Sequence, residues 1–353
     1  QPDRPLLAGH HRLRPDGRIQ HPHPARRDRC QPARAGPGHD LDGFRQGSCF
    51  FPGEPSSTEY INENTYRDVW GSLRTKSAGC YYFEQREFPL SGDISQSDII
   101  NYKWPKPDDP NIVKGLKEQV RKIRDNSDCA IVLNLPLCFI EYSQSLRGFQ
   151  DWYLDCGMKV KRLEILFDAI LDINIKIVEN LLSEVGKEVD IVKIGDDLGT
   201  QTSLQISPDI FRKSIKPRFK KYFDVIRQLS PNLKILFHSC GSIEPILDDL
   251  IDIGTDIINP VQVSARNMDT TYLKEKYGNR IVFWGAIDTQ YVMPNGHVEE
   301  VRTEVERRIR DLGKNGGYIL TAVHNIQPGV PSEDILTMYE HAKAFSKKYY
   351  KNI

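Results

Sequence analysis

The chain lacks a hydrophobic run long enough to cross a bilayer. Apolar residues make up 39% of its 353 residues, but they occur in short runs, below the roughly 18 to 20 consecutive residues that a membrane helix needs. The N-terminus has no apolar core segment of the kind that a signal peptide carries, so we expect no secretion signal. These absences favour a soluble protein without a membrane partner.

Net charge and paired cysteines are also missing. Lys plus Arg and Asp plus Glu number 48 each, so no global field favours nucleic acid or an anionic polymer. The seven cysteines show no C-x-x-C spacing and no even framework, which is typical of reduced thiols in a cytoplasmic protein. We therefore expect a small-molecule or protein partner, no nucleic acid, and a cytoplasmic location.

Residues 1–52 lack lysine and any periodic apolar pattern. They contain nine Arg and five of the nine His of the chain. Such a composition buries too little apolar surface to offset its ordering entropy, so we predict a poorly ordered segment 1–52 before one domain, 53–353. A His-rich tail that binds metal or polyanions is one alternative, although ligand spacing is absent. A foreign or mistranslated origin for part of the segment is another, because its composition contrasts with the Lys/Ile/Asn usage downstream.

Nucleotide-binding loops are absent, since neither G-x-G-x-x-G nor G-x-x-x-x-G-K-[ST] occurs. Short apolar runs nevertheless alternate with amphipathic segments, which predicts parallel strands covered by helices. Six such runs start at 129, 190, 233, 256, 280 and 317. We predict an α/β fold, a (β/α)8 TIM barrel, whose two remaining strands lie in the first 110 residues. The aromatic-rich stretch 59–90 predicts an N-terminal β-hairpin extension.

Polar side chains stand where most of these runs end. In a barrel of parallel strands the carboxyl ends carry the functional groups, because the loops after them converge over a packed core. Each such residue also has a simpler interpretation, since an aspartate there can cap a helix and a lone buried histidine usually hydrogen-bonds within the core. Together they predict one site, which comprises Asp196, Asp197, His238, Cys240, Asn259, Asp288 and His324.

The sharpest motif is His238-Ser-Cys240. In an extended chain the side chains of residues i and i+2 point to the same side, so an imidazole nitrogen and a sulfur can bind one zinc ion. A catalytic zinc site usually has three protein ligands and one open position. We predict His324 as the third metal ligand, with Asp197 or another carboxylate as the alternative. A His and a Cys that bind no metal are the other interpretation.

Three segments resemble the uroporphyrinogen decarboxylase superfamily: GDDLGTQTSLQISPDIFRKSIKPRFKKYFDVI, LFHSCGSIEPILDDLIDIGTDIINPVQ and FWGAIDTQYVMPNGHVEEVRTEVERRI. The resemblance spans roughly residues 60–348. It is greatest to the cobalamin-dependent branch, of the methylcobamide:coenzyme M methyltransferase kind. There it implies a (β/α)8 barrel and a zinc ion held by an H-x-C pair and a later Cys. His238 and Cys240 match the pair, while His324 stands where that Cys is expected.

The resemblance implies an enzyme that depends on zinc and on cobalamin carried by a partner corrinoid protein. It would move a methyl group between the cobalamin and a small methylated donor or a thiol acceptor. We expect Asp196, Asp197 and Asp288 to orient the substrate or transfer protons, and Asn259 and Gln290 to bind it. The decarboxylases carry an arginine-bearing M-R-Q-A-G-R-Y segment, which is not found here. We therefore favour methyl transfer and keep tetrapyrrole decarboxylation as the first alternative. A barrel that binds without catalysing is the second alternative.

Overall fold

The structure is a computed structural model, and it describes residues 48–50, 58–80, 82–135 and 139–351. Residues 1–47, most of the segment predicted to be poorly ordered, lie outside the described residues, so that prediction stays a prediction. Ser48–Phe50, at the end of the segment, form a strand of the main sheet. None of the helices within the described ranges has both the length and the hydropathy that a bilayer span requires.

The strands belong to two sheets. In chain order they are β1 (Ser48–Phe50), β2 (Glu59–Asn62), β3 (Thr65–Arg67), β4 (Leu73–Thr75), β5 (Glu84–Glu87), β6 (Ile131–Asn134), β7 (Ile191–Gly195), β8 (Lys234–His238), β9 (Ile257–Val261), β10 (Val282–Ile287) and β11 (Tyr318–Ala322). The seven-stranded sheet is parallel and has the order β1-β6-β7-β8-β9-β10-β11. The four-stranded sheet is antiparallel and contains β2 to β5.

Helices follow most of the parallel strands. They are α1 (Gln96–Ile100), α2 (Leu116–Asn126), α3 (Phe139–Arg147), α4 (Phe149–Met158), α5 (Lys161–Val185), α6 (Pro208–Ile210), α7 (Lys216–Leu229), α8 (Leu247–Asp252), α9 (Thr270–Tyr277), α10 (Val292–Asn295), α11 (Val298–Leu312) and α12 (Ser332–Tyr349). A π-helical turn, Phe211–Ile215, joins α6 to α7. The Oγ of Ser207 accepts from the N–H of Ile210 and Pro208 takes the first helical position, both of which favour a helix start at this point.

The parallel strands place their side chains alternately on two faces. Ile131 and Leu133 of β6 pack outward in the large core beneath the helices. Val132, by contrast, belongs to a small inner cluster with residues of β7, β8 and β9. A cavity of about 630 Å³ adjoins this inner cluster and is lined by both Val132 of β6 and Thr321 of β11. The sheet therefore curls until its distant strands face the same space.

The predicted alternation of strands and helices is confirmed for all six runs, because each contains one of β6 to β11. One of the two strands expected in the first 110 residues is β1. The described residues contain no eighth parallel strand, so a closed (β/α)8 barrel stays a prediction. The predicted hairpin at 59–90 is a larger antiparallel sheet, and Trp70, in the turn between β3 and β4, packs against Tyr142 of α3 with ring centroids 4.4 Å apart.

Candidate functional site

The register of three neighbouring strands brings the histidine of the H-x-C motif next to an amide. Gly195 of β7 is opposite His238 of β8, and His238 is opposite Asn259 of β9. The Nδ1 atom of His238 lies 2.5 Å from Oδ1 of Asn259. Because an amide oxygen only accepts, Nδ1 carries the proton and donates it, and the lone pair of Nε2 stays free. Asn259, predicted to bind substrate, therefore fixes the tautomer that can bind a metal through Nε2.

Cys240 and Asp197 lie on the side of His238 that this free nitrogen faces. The Sγ atom of Cys240 is 3.8 Å from Nε2 of His238, and Oδ1 of Asp197 is 4.0 Å from the same nitrogen. The backbone N–H of Cys240 donates to Oδ1 of Asp197 at 2.9 Å. The three side chains thus form one group whose potential ligand atoms lie within 4.8 Å of one another. We call this group the Asp-His-Cys cluster.

Small residues let the two loops of this cluster approach each other closely. Gly241 has a φ of +90°, and a Cβ atom there would lie 2.4 Å from the backbone carbon of Gly199. The Oγ of buried Ser239 accepts from the N–H of Leu198 at 2.9 Å. The turn that carries Cys240 is therefore held against the loop after β7 before any ligand binds, as a functional site requires.

Burial determines whether the imidazole of His238 and the thiol of Cys240 carry a proton. It lowers the pKa of His238, so the imidazole is neutral at pH 7 and offers its lone pair. Burial, followed by the negative charge of Asp197, raises the pKa of the Cys240 thiol to about 12. The sulfur keeps its proton unless a cation displaces it, because a thiolate in this setting needs a positive partner.

The Asp-His-Cys cluster fits a zinc ion. Imidazole, thiolate and carboxylate are all zinc ligands, and tetrahedral bonds of about 2.0 to 2.3 Å separate ligand atoms by about 3.3 to 3.8 Å. The observed separations of 3.8 Å and 4.0 Å are close to these values, and the widest separation in the group, up to 4.8 Å, would have to shorten by about 1 Å on zinc binding. Three donors leave the fourth position open, which is the arrangement of catalytic rather than structural zinc sites.

His324, the third ligand that the sequence favours, is not part of the Asp-His-Cys cluster. It lines the same cavity as His238, but its side chain is exposed and Nδ1 lies 3.4 Å from the carbonyl oxygen of Asn325. Asp197, the alternative that the sequence offers, is the third member of the cluster. The physical reason is strand order, because β7 is hydrogen-bonded to β8 whereas β9 and β10 separate β11 from β8.

Asp196, predicted to act in catalysis beside Asp197, caps a helix. Its carboxylate accepts from the N–H groups of Ile140 at 2.7 Å and Glu141 at 3.1 Å in the first turn of α3. The side chain is 1% exposed. Burial, followed by the nearby charge of Glu141, raises the pKa of Asp196 well above its usual value. Its environment is that of a buried structural group, and it does not line the cavity.

Asp288 and Gln290 also lie away from the Asp-His-Cys cluster. The Oδ1 of Asp288 accepts from the backbone N–H groups of Gln290 and Tyr291, at 2.7 Å each, so this aspartate caps the turn after β10. Gln290 is exposed, and neither it nor Asp288 is among the residues that line the cavity. The structure does not bring these two predicted site residues to the Asp-His-Cys cluster.

The cavity contains residues that the sequence did not single out. Lys193 of β7 and Trp284 of β10 line it together with His238 and Tyr339. The signal for Lys193 was present, since a lysine interrupts the apolar run of β7 on the face that alternation turns inward. Trp284 carries no such signal, because an aromatic residue in an apolar strand is ordinarily a core residue.

Similar proteins of known sequence fall into two groups. Uroporphyrinogen decarboxylase of Prochlorococcus marinus subsp. pastoris is 24% identical over 295 residues, which is 77% of this chain and 81% of that protein. Methylcobamide:CoM methyltransferase of Methanosarcina barkeri is 25% identical over 233 residues, 64% of this chain. The match spans 62% of that methyltransferase, so it covers less than two thirds of its length.

A solved structure shares the fold. The methyltransferase from Methanosarcina mazei superposes with a TM-score of 0.61 at 18% sequence identity, and the match covers 79% of this chain and 77% of that one. The family model for uroporphyrinogen decarboxylase (URO-D) matches residues 137–345, more than half of the chain, including β7 to β11 and the Asp-His-Cys cluster. The chain therefore belongs to the uroporphyrinogen decarboxylase (URO-D) family.

Proposed function

We propose that the protein is a zinc- and corrinoid-dependent methyltransferase that acts on a small thiol or methylated substrate. One observation carries the proposal: Asp197, His238 and Cys240 present three zinc-type donors within 4.8 Å of one another. His238 is the member of the cluster that also lines the 630 Å³ cavity, so we expect a substrate in the cavity to reach the metal position past His238. The name of the Methanosarcina barkeri relative, a methylcobamide:CoM methyltransferase, adds support.

The chemistry that zinc supplies is the acidification of a bound thiol, which makes a thiolate available at neutral pH. In the proposed reaction the substrate sulfur forms a bond to the methyl carbon of a methyl-corrinoid carried by a partner protein. The cobalt–carbon bond breaks, both of its electrons stay on the corrinoid, and the thiol proton is released. Asn259 holds His238 in the tautomer whose Nε2 lone pair can bind the metal. Asp197 would supply a negatively charged ligand.

Methyl transfer from free methylcobalamin to 2-mercaptoethanol tests this function. The zinc-loaded protein should convert the methylcobalamin spectrum to that of the demethylated corrinoid and form the methyl thioether. Cys240→Ala should abolish both and lose zinc, while Cys156→Ala, which removes a buried thiol outside the cluster, should retain them. Zinc retained at one ion per chain in Cys240→Ala contradicts the proposed site.

Decarboxylation of uroporphyrinogen is the second candidate, and a specific observation favours it. The Prochlorococcus relatives named uroporphyrinogen decarboxylase align over a larger share of this chain, 77% for the first of them. This function would use the same cavity without zinc. A direct assay with uroporphyrinogen separates the two, since coproporphyrinogen formation by zinc-free protein supports the decarboxylase and contradicts the methyltransferase.

A further inference from the structure

Lys193 places a cationic side chain on the inner face of the curled sheet. Ile191, two residues earlier on β7, belongs to the small inner apolar cluster, and alternation puts Lys193 on the same face, one step closer to the strand end. In the sheet Lys193 is opposite Leu236 of β8. Its half-buried side chain lines the cavity that His238 also lines.

No ion pair neutralises this lysine within the described residues. The salt bridges of that part of the chain involve other lysines, arginines and two histidines, His238 and His341, and Lys193 has no side-chain hydrogen bond there either. Removing an ammonium group from bulk water is costly unless an anion or several acceptors replace the water. A lysine without a counter-ion, beside apolar Val132, Leu236 and Trp284, therefore indicates a partner that the chain itself does not supply.

The cavity lining has the charge that an anionic ligand requires. Among the described residues that line it, none is an aspartate or a glutamate, and Lys193 is the only lysine or arginine; the two histidines, His238 and His324, are not counted toward this charge. Polar but neutral side chains, Asn259 and Thr321, complete the hydrophilic part. Lys193 thus meets no competing carboxylate inside the cavity. The carboxylate of Asp197 lies at the metal end, 4.0 Å from Nε2 of His238.

We propose that Lys193 is a positioning residue that binds a carboxylate group of the substrate. The substrate class is then a small carboxylic acid with a thiol or other soft heteroatom at its opposite end, held between Lys193 and the Asp-His-Cys cluster. The heteroatom end rests on the proposed function, whereas the carboxylate end rests on the uncompensated charge of Lys193. An ammonium–carboxylate contact in a partly dry cavity contributes affinity and fixes orientation.

Calorimetry on the zinc-loaded protein tests the proposal with 3-mercaptopropionate and the matched neutral thiol 2-mercaptoethanol. Lys193→Met should weaken 3-mercaptopropionate binding by about tenfold or more and leave 2-mercaptoethanol unchanged. Lys193→Arg should recover most of the affinity because it keeps the charge. Lys234→Met is the control, since Lys234 is exposed at the opposite end of β8 and pairs with Asp256 at 3.8 Å.

The outcomes separate this inference from the proposed function. If Lys193→Met weakens the binding of both thiols equally, or of neither, the proposed role of Lys193 is overturned. Thermal unfolding of each variant shows whether misfolding causes a loss of affinity. If the wild-type protein binds no zinc, the proposed function is contradicted, but the proposed role of Lys193 is not. The carboxylate site is then tested with propionate alone, where binding that Lys193→Met abolishes and Lys193→Arg restores supports it and absent binding overturns it.

Discussion

The backbone N–H of Cys240 donates to Oδ1 of Asp197 at 2.9 Å, so the two residues hold each other in position. The same carboxylate oxygen faces Nε2 of His238 at 4.0 Å. Asp197 therefore connects the loop after β7 to the turn after β8 and contributes a negative charge to the Asp-His-Cys cluster. This link distinguishes Asp197 from its neighbour Asp196, whose carboxylate points to the start of α3.

Asp197→Ala should weaken zinc binding by at least about 100-fold, because it removes a metal ligand rather than an outer partner. Competition with a chelator of known zinc affinity measures the change. His324→Ala is the matched variant and should keep its affinity within about threefold of wild type, since His324 lies outside the cluster. The opposite ranking of the two variants contradicts the assignment of Asp197.

Asp196→Ala should lower the free energy of unfolding by about 1 to 2 kcal/mol, because two backbone N–H groups of α3 lose their acceptor. Denaturant titration measures this difference. Zinc content should stay at one ion per chain, which separates this helix cap from the adjacent ligand. Loss of zinc without loss of stability would assign Asp196 to the metal site instead.

Asn259→Ala should reduce zinc affinity by about 10- to 100-fold, since His238 then loses the acceptor that fixes its tautomer. Asn325→Ala serves as the control, because Asn325 lines the same cavity but contributes only its backbone carbonyl near His324. The chelator competition described above applies to both. Unchanged zinc affinity in Asn259→Ala would show that Asn259 does not orient the ligand.

Zinc binding should release about one proton per chain near pH 7. The pKa of the Cys240 thiol is raised to about 12, so the thiol starts protonated and must lose its proton to bind. The pKa of His238 is lowered, so the imidazole is already neutral and adds no proton. Affinity should therefore fall about tenfold per unit decrease in pH between pH 8 and 7. Calorimetry in buffers of different ionisation enthalpy counts the protons, and a count near zero for the wild-type protein contradicts the assignment of the Cys240 thiol as a metal ligand.

The sequence predicted the elements that depend on periodicity and missed those that depend on loop direction. The apolar runs of β6 to β11 and the pairing of His238 with Cys240 follow from local spacing, and both are present. Asp196 and Asp197 both come directly after β7, and spacing alone does not show which one faces Cys240.

The third ligand illustrates the same limit. His324, after β11, lines the cavity, whereas Asp197, after β7, lies beside His238 and Cys240. Strand order and the hydrogen bond from Cys240 to Asp197 distinguish the two residues, and both are evident only in three dimensions. Lys193 was accessible to the same reasoning in principle. Its position in an apolar strand marked it as unusual, but the absence of a counter-ion within the described residues becomes evident only in three dimensions.

Anomalous diffraction at the zinc absorption edge, from crystals of the protein loaded with one equivalent of zinc, tests the metal site most directly. We expect one strong peak within about 2.0 to 2.3 Å of Nε2 of His238, Sγ of Cys240 and a carboxylate oxygen of Asp197. A peak bonded to His324 and not to Asp197, or no peak between His238 and Cys240, would contradict the account.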